Sequence, residues 1–393
     1  MSEGPRILLT GGGTGGHIYP ALAVVEVLGL EAVAGYVGSP RGLEARVVPD
    51  AGLELVTLET SGVMGKSVSG KLRGAARAAR AVGRARQILR DRRPDAVLGT
   101  GGYVTGPVGV AAWLEGIPLI ILEENAIPGV TNRLLGHVAH RVAVPWEEAR
   151  EGFPASVRPR VVVTGNPVRT RVLAVSREEA RRELGLPARS RTVLLFGGSQ
   201  GAAELNRVGR MLAQSGSLPE DTFLVWASGV RYFEEVSRAL GDRASSRVRL
   251  VPYLDDMPAA LAVADLAVTR AGAVTLAELT ARGVPSILIP SPNVTSDHQT
   301  ANARVLARRG AARLVTEDSL RQVRPIVRDL LDRPETLKEM AQAAEALGRP
   351  DAARKLADLV LKAAEMGRKR WKAKNRPDGR VRSPRTGGRY GRI

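Results

Sequence analysis

Short apolar runs that end in glycine recur along the 393-residue chain and restrict what it can fold into. RILLTGG starts at Arg6, DAVLGTGG at Asp95 and TVLLFGG at Thr192, while PLIILEEN from Pro118 and VPSILIP from Val284 are similar runs with other endings. A strand that is apolar on both faces must be covered on both, and the Ala/Leu/Arg-rich stretches between the runs read as the covering helices. This alternation predicts an α/β fold built on parallel sheets. Ile7-Leu8-Leu9-Thr10-Gly11-Gly12 is echoed by Val193-Leu194-Leu195-Phe196-Gly197-Gly198, each read as a first strand entering a glycine turn that opens a helix.

Two similar halves follow, consistent with a length beyond the roughly 250–300 residues at which single cores stop growing. The join is expected near Val163-Thr164-Gly165-Asn166-Pro167, where a strand-like run meets turn residues and proline. The expected units are 1–163, 164–350, a terminal helix at 351–366 that docks through Leu356, Val360 and Leu361, and a tail at 367–393.

Charge narrows the partners. Lysine and arginine number 58 against 40 acidic residues, a net +18, which favours phosphate esters, nucleic acid or an acidic membrane face. The tail holds 11 basic residues and one acid, Asp378, without apolar periodicity, and is expected to be disordered. A second basic segment, Lys66 to Arg93, places Arg73, Arg77, Arg80 and Arg84 at helical spacing, as a solvated face or a contact with anionic lipid. No apolar run approaches the ~18 residues of a membrane span, and MSEGPRILLT lacks signal-peptide character, so the chain is expected to stay inside the cell. Without cysteine, thiolate metal sites and cysteine nucleophiles are excluded.

The loop Gly11 to His17, GGGTGGH, satisfies G-x-G-x-x-G through Gly11, Gly13 and Gly16. A dinucleotide site would also place an acid at the end of the second strand, and AVAGYVGSP offers none, which disfavours an oxidoreductase. Glycines that admit a ligand to backbone amides, and a helix start that presents unpaired N–H groups, remain. GGSQGA from Gly197 repeats the device with Ser199 and Gln200 as donors, and GTGGYVTGP from Gly99 is a third loop. In RAGAVTLAELTARGVP, a helix from about Ala273 would offer the amides of Ala273, Val274 and Thr275 to a diphosphate, with Glu278 one turn on to accept ribose hydroxyls. The Asp255-Asp256 pair reads as a helix start, not a metal motif, and no metal or cofactor is expected. His137 and His140 lack i, i+4 spacing and read as packing or surface residues.

Taken together, GGGTGGHIYPALA, GTGGYVTGP, EENAIPGVTN, GNPVR, GGSQGA, YLDDM, RAGAVTLAE and SDHQTANA, in that order over about residues 6 to 366, resemble the MurG family of bacterial peptidoglycan N-acetylglucosaminyltransferases, within the GT-B superfamily. The resemblance implies two Rossmann-like domains facing across a cleft, the first for a lipid-linked acceptor and the second for UDP-N-acetylglucosamine. It implies inverting transfer to the 4-hydroxyl of N-acetylmuramic acid in undecaprenyl-diphosphate-linked muramyl pentapeptide, at the cytoplasmic face of the membrane. Carried over by position, Thr14, Gly15, Gly16, Asn125, Arg169, Ser199, Leu254, the run Ala273, Val274, Thr275, Leu276, Ala277 and Glu278, and the pair His298 and Gln299 are expected donor contacts. Leu254 would act through its backbone on uracil. His298 departs from the glutamine of other members.

Gly101, Gly102 and Tyr103 are expected on the acceptor side, with Val63, Met64, Leu72 and Trp113 beside the membrane. His17 is the candidate base, with Glu123 or Glu124 as alternatives. An anionic membrane surface and cell-wall synthesis or division proteins are the expected partners. A GT-B transferase with another acceptor is the alternative, and a nucleic-acid-binding protein the more distant one.

Overall fold

In a computed structural model, residues 4–59, 68–198, 201–241, 246–292 and 297–374 are described, without the side chains of 68–73, 75 and 374. Seven strands form the first sheet: β1 (Ile7–Thr10), β2 (Val33–Gly38), β3 (Leu55–Thr57), β4 (Ala96–Gly99), β5 (Leu119–Leu122), β6 (Arg141–Val144) and β7 (Val161–Val163). All pair in parallel in the order β3-β2-β1-β4-β5-β6-β7. The helices between them are α1 (Gly15–Leu28), α2 (Glu44–Asp50), α3 (Val68–Arg92), α4 (Thr105–Glu115), α5 (Val130–Leu135) and α6 (Glu147–Glu151).

Six strands form the second sheet: β8 (Arg191–Phe196), β9 (Thr222–Ala227), β10 (Val248–Val251), β11 (Leu266–Thr269), β12 (Ser286–Leu288) and β13 (Ala312–Leu314). Their order is β10-β9-β8-β11-β12-β13, again all parallel. Its helices are α7 (Thr170–Ala174), α8 (Arg177–Glu183), α9 (Ala203–Leu212), α10 (Phe233–Leu240), α11 (Met257–Val263), α12 (Ala273–Ala281), α13 (His298–Arg308), α14 (Val323–Asp332) and α15 (Pro334–Leu347), and α16 (Ala352–Lys374) closes the chain.

The echoed sequences, β1 and β8, occupy the same place in the two sheets. Each is the strand from which the chain order turns outward in both directions, β1 beside β4 and β8 beside β11. At such a point adjacent loops leave the sheet on opposite sides and open a crevice at the carboxyl ends of the strands. The strands read as continuous apolar runs because both faces are covered. Leu8 and Val97 point into one cluster and Ile7, Leu9 and Leu98 into another. The second sheet divides Leu194 from Val193 and Leu195 in the same way.

Helix α16 returns to the first half. Leu356, Ala357, Val360, Ala363 and Ala364 are buried in the cluster that contains Ile7, Leu9 and Ile120, with Leu361 half-buried at its edge. This helix does not stop at residue 366, as the sequence suggested, but continues to Lys374. Gly367 lets it run against the strand end, where a Cβ would lie 1.9 Å from the Asp95 carbonyl oxygen, and Arg368 pairs with Asp95 at 3.5 Å. The first part of the basic tail is therefore helix, its charge directed outward, and residues 375–393 lie outside the described residues. Among the described residues no helix is long and apolar enough to cross a membrane.

Candidate active site

The first glycine loop leaves β1 and enters α1 at Gly15, with Thr14 extended at the N-cap. The segment AVAGYVGSP offers no acid at the end of β2, but one reaches the loop from beyond it. Glu44, six residues beyond β2, is fully buried and accepts hydrogen bonds from the amides of Gly13 at 3.1 Å and Ser39 at 2.9 Å. A buried carboxylate at the Gly13 amide excludes a diphosphate from that amide, so a ligand must use the start of α1. There, the first-turn amides of Gly15 and Gly16 have no acceptor within the helix.

His17 sits in the first turn of α1. Its Nδ1 lies 3.1 Å from the Thr100 carbonyl oxygen and 3.6 Å from Glu124 Oε2. A carbonyl only accepts, so Nδ1 carries the hydrogen and Nε2 is left with the lone pair that a base needs. Burial lowers the proton affinity of the ring, but Glu124, with Glu123 behind it, outweighs burial and holds the imidazole above its ordinary value. Glu124 is 3% exposed and its Oε1 has no hydrogen-bond partner among the described residues. Burial raises its carboxyl above the usual range although His17 pulls the other way.

Glu123 has a different task. Its Oε1 accepts from the Asn125 amide and side chain at 2.9 and 3.2 Å, and its Oε2 from Gly129 N and Asn132 Nδ2, both at 2.9 Å. Those four bonds commit it to shaping the loop after β5, so of the two alternative bases only Glu124 faces His17. The GTGG loop closes the other side. At Gly101 (φ +114°) a Cβ would lie 2.5 Å from His17 Nδ1, and at Gly102 (φ +81°) 2.2 Å from the Gly12 carbonyl oxygen. Only glycine permits both the backbone conformation and the approach. Tyr103 beside them is 74% exposed.

The second half supplies the opposite wall. Arg270 donates to the carbonyls of Ile289 and Pro290 and pairs with Glu317 at 2.6 Å, which fixes the turn that leads into α12. Gly272 is the extended N-cap, and the amides of Ala273, Val274 and Thr275 form the open first turn. Leu276 is packed in the core with its N–H bonded to the Gly272 carbonyl, and Ala277 packs against that core, so neither directs a side chain into the open turn. Leu254 is likewise a core side chain, which fits a backbone role. Burial pushes Glu278 up to about 7, even though Arg169, 3.7 Å away, pulls it down.

Gln299 Oε1 accepts from the Ser291 amide at 2.9 Å, and His298 begins α13 half-buried. Ser199, Gln200, Val63 and Met64 lie outside the described residues, as does the Leu72 side chain. Asp256 caps α11 through the Ala259 amide and pairs with Arg171.

One residue the sequence did not single out ties the walls together. Asn302 of α13, fully buried, accepts from the Ala126 amide at 2.8 Å and donates to Asn125 Oδ1 at 3.1 Å and to the Ala271 carbonyl at 3.2 Å. Asn125 is thereby held between the Glu123 loop and the turn before α12. The arrangement places a histidine with a free ring nitrogen lone pair on one side of a crevice and an open helix start with a buried carboxylate on the other.

Residues 7–144 match the glycosyltransferase family 28 N-terminal domain, and residues 192–356 the family 28 C-terminal domain. The chain is 44% identical over 374 residues to the UDP-N-acetylglucosamine–N-acetylmuramyl-(pentapeptide) pyrophosphoryl-undecaprenol N-acetylglucosamine transferase of Symbiobacterium thermophilum, covering 94% of this chain and 99% of that one. It is 43% identical to the transferase of the same name from Moorella thermoacetica, over 92% and 100% of the two chains. The crystal structure of Acinetobacter baumannii MurG superposes with a TM-score of 0.71 at 30% identity, covering 91% of this chain and 99% of that one. The chain thus belongs to the MurG family of glycosyltransferases, with the two-domain GT-B fold.

Proposed function

We propose that this protein transfers N-acetylglucosamine, with inversion, from UDP-N-acetylglucosamine to the 4-hydroxyl of N-acetylmuramic acid in undecaprenyl-diphosphate-linked muramyl pentapeptide. Residues 1–163 hold the acceptor and residues 164–350 the donor. The observation that carries the reading is the pairing of His17, its Nδ1 hydrogen directed at Thr100 and backed by Glu124, with the open start of α12 across the Asn125–Asn302 bridge.

In the reaction, His17 Nε2 takes the acceptor proton as the O4–C1 bond forms and the bond from C1 to the β-phosphate oxygen breaks. Glu124 balances the imidazolium charge in a buried setting. The departing diphosphate gathers negative charge, which the first-turn amides of α12, Ser199 and Arg169 stabilise. Glu278 accepts from the ribose hydroxyls, the Leu254 backbone meets uracil, and Gln299, with His298, addresses the sugar hydroxyls. Thr14, Gly15, Gly16 and Asn125 close on the transferred sugar, while Gly101, Gly102 and Tyr103 face the acceptor.

The protein works at the cytoplasmic face of the membrane. Supporting this, Arg77, Arg80 and Arg84 are exposed along α3, and α4, which packs on α3, exposes Trp113 (55%) and Leu114 (47%). An indole and an aliphatic side chain among cations suit an anionic bilayer surface.

The test is incubation with labelled UDP-N-acetylglucosamine and undecaprenyl- or shorter-chain muramyl-pentapeptide diphosphate, followed by lipid extraction. Label in the lipid phase is expected, as a β-linked disaccharide. Absence of transfer, or transfer only to another acceptor, would overturn the assignment.

A further inference from the structure

Helix α1 presents a second functional group besides His17, directed at the other domain. Tyr19 lies beneath the guanidinium of Arg169, with 4.8 Å between Cζ and the ring centroid. Glu26, two turns along the same face, accepts from the Thr170 amide at 2.7 Å, so α1 touches the start of α7 at two points. Gly15 makes room for the ring, since a Cβ there would lie 2.9 Å from Tyr19 Cε2. On its other side Arg169 reaches Glu278 Oε1 at 3.7 Å, and its buried Nε has no hydrogen-bond partner among the described residues.

We propose that Tyr19 is a positioning residue for the donor site, whose ring on the first domain holds the Arg169 guanidinium beside Glu278 of the second, so that the donor's ribose meets a charge-paired carboxylate. The inference rests on the nucleotide-sugar reading above and deepens it.

The chemistry follows from burial. A carboxyl as buried as Glu278 is driven toward its neutral form unless a cation faces it, and the neutral form has less acceptor capacity for a vicinal diol. Arginine is long and rotatable, so it faces Glu278 only if something restricts it. An aromatic face does so without consuming the N–H groups that a diphosphate needs, and favours the stacked position by about two- to thirty-fold. Beside this stack lie Tyr253 and Asp255, in the loop after β10, and Arg46 of α2. The Tyr19 hydroxyl plays no part in the argument, so phenylalanine should serve as well.

The experiment is calorimetric UDP binding by the full chain from pH 6 to 9 for wild type, Tyr19→Phe, Tyr19→Leu and Tyr19→Ala. Titration of UDP itself is common to all four and cancels in the comparison. Wild type and Tyr19→Phe should share a midpoint below which binding weakens. Tyr19→Leu and Tyr19→Ala should move that midpoint to higher pH and weaken binding about two- to thirty-fold near neutrality, with a much smaller loss at pH 9. The leucine variant preserves bulk and keeps the test available if the alanine variant does not fold. Equal weakening at every pH, or an unmoved midpoint in the leucine variant, overturns the role of Tyr19 alone. A wild-type protein that binds no UDP overturns the functional reading instead.

Discussion

Asn302 Nδ2 donates to Asn125 Oδ1 at 3.1 Å, and this bond joins the two halves at the floor of the crevice. The same amide satisfies the buried Ala126 N–H and Ala271 carbonyl. Asn302→Ala strips the partner from both, at roughly 1–3 kcal/mol for each buried group left unpaired. Chemical denaturation should show a loss of that order, and turnover should fall further than stability predicts, because Asn125 loses its cross-domain anchor. Unchanged turnover in a folded variant would show that the bridge is structural only.

The pair formed by His17 and Glu124 predicts a pH profile. Glu124 holds the His17 imidazole above its ordinary value, so kcat/KM should rise with pH as the imidazolium loses its proton. Glu124→Gln keeps the shape and removes the charge while burial remains. The acidic limb should move to lower pH and the plateau should drop, since the base is weaker. An acidic limb that stays in place would assign it to another group.

Gly102 predicts a steric failure. Alanine at φ +81° would place its Cβ 2.2 Å from a backbone oxygen of Gly12, which no rotamer change relieves. Gly102→Ala should cost more than about 2 kcal/mol by thermal or denaturant unfolding and should misplace the loop against His17. Gly83→Ala, with nothing within 4 Å of the added Cβ and an exposed site within α3, should instead be neutral or mildly stabilising.

Features carried by local pattern were legible in the sequence. The apolar runs gave the strands, the echo of Ile7–Gly12 in Val193–Gly198 gave equivalent central strands, and the helix start at Ala273 followed from its glycine and small residues. Features that depend on chain segments meeting in space were not legible. Glu44 reaches Gly13 across 31 residues and Asn302 reaches Asn125 across 177, and neither separation leaves a periodic trace. Adjacent glutamates such as Glu123 and Glu124 look equivalent in one dimension, and only the loop geometry shows that one is saturated by four donors while the other faces a histidine. Residues 367–374 carry basic residues without apolar periodicity, which suggests disorder, because packing of Gly367 on Asp95 has no sequence signature.

Helix α3 supports a prediction about where the protein works. Its inner face is buried through Ala81, Ala85, Ile88 and Leu89, while Arg77, Arg80 and Arg84 remain outside. Arg86 and Arg90 are different, because both pair with the single Glu115 carboxylate, at 2.7 and 3.0 Å, which offsets part of their charge. Among the described side chains of α3, these three arginines are the outward ones not paired with an acid, at about 1 kcal/mol each near anionic lipid, while the Arg73 side chain lies outside the described residues. Changing all three to glutamine should weaken partitioning onto phosphatidylglycerol vesicles by roughly 100-fold at low salt, with little effect on neutral vesicles. Trp113→Ala should weaken both, since an indole at the interface responds to apolar contact more than to charge. In flotation assays, equal binding of the triple variant and the wild-type protein to anionic vesicles would place the membrane contact elsewhere on the molecule.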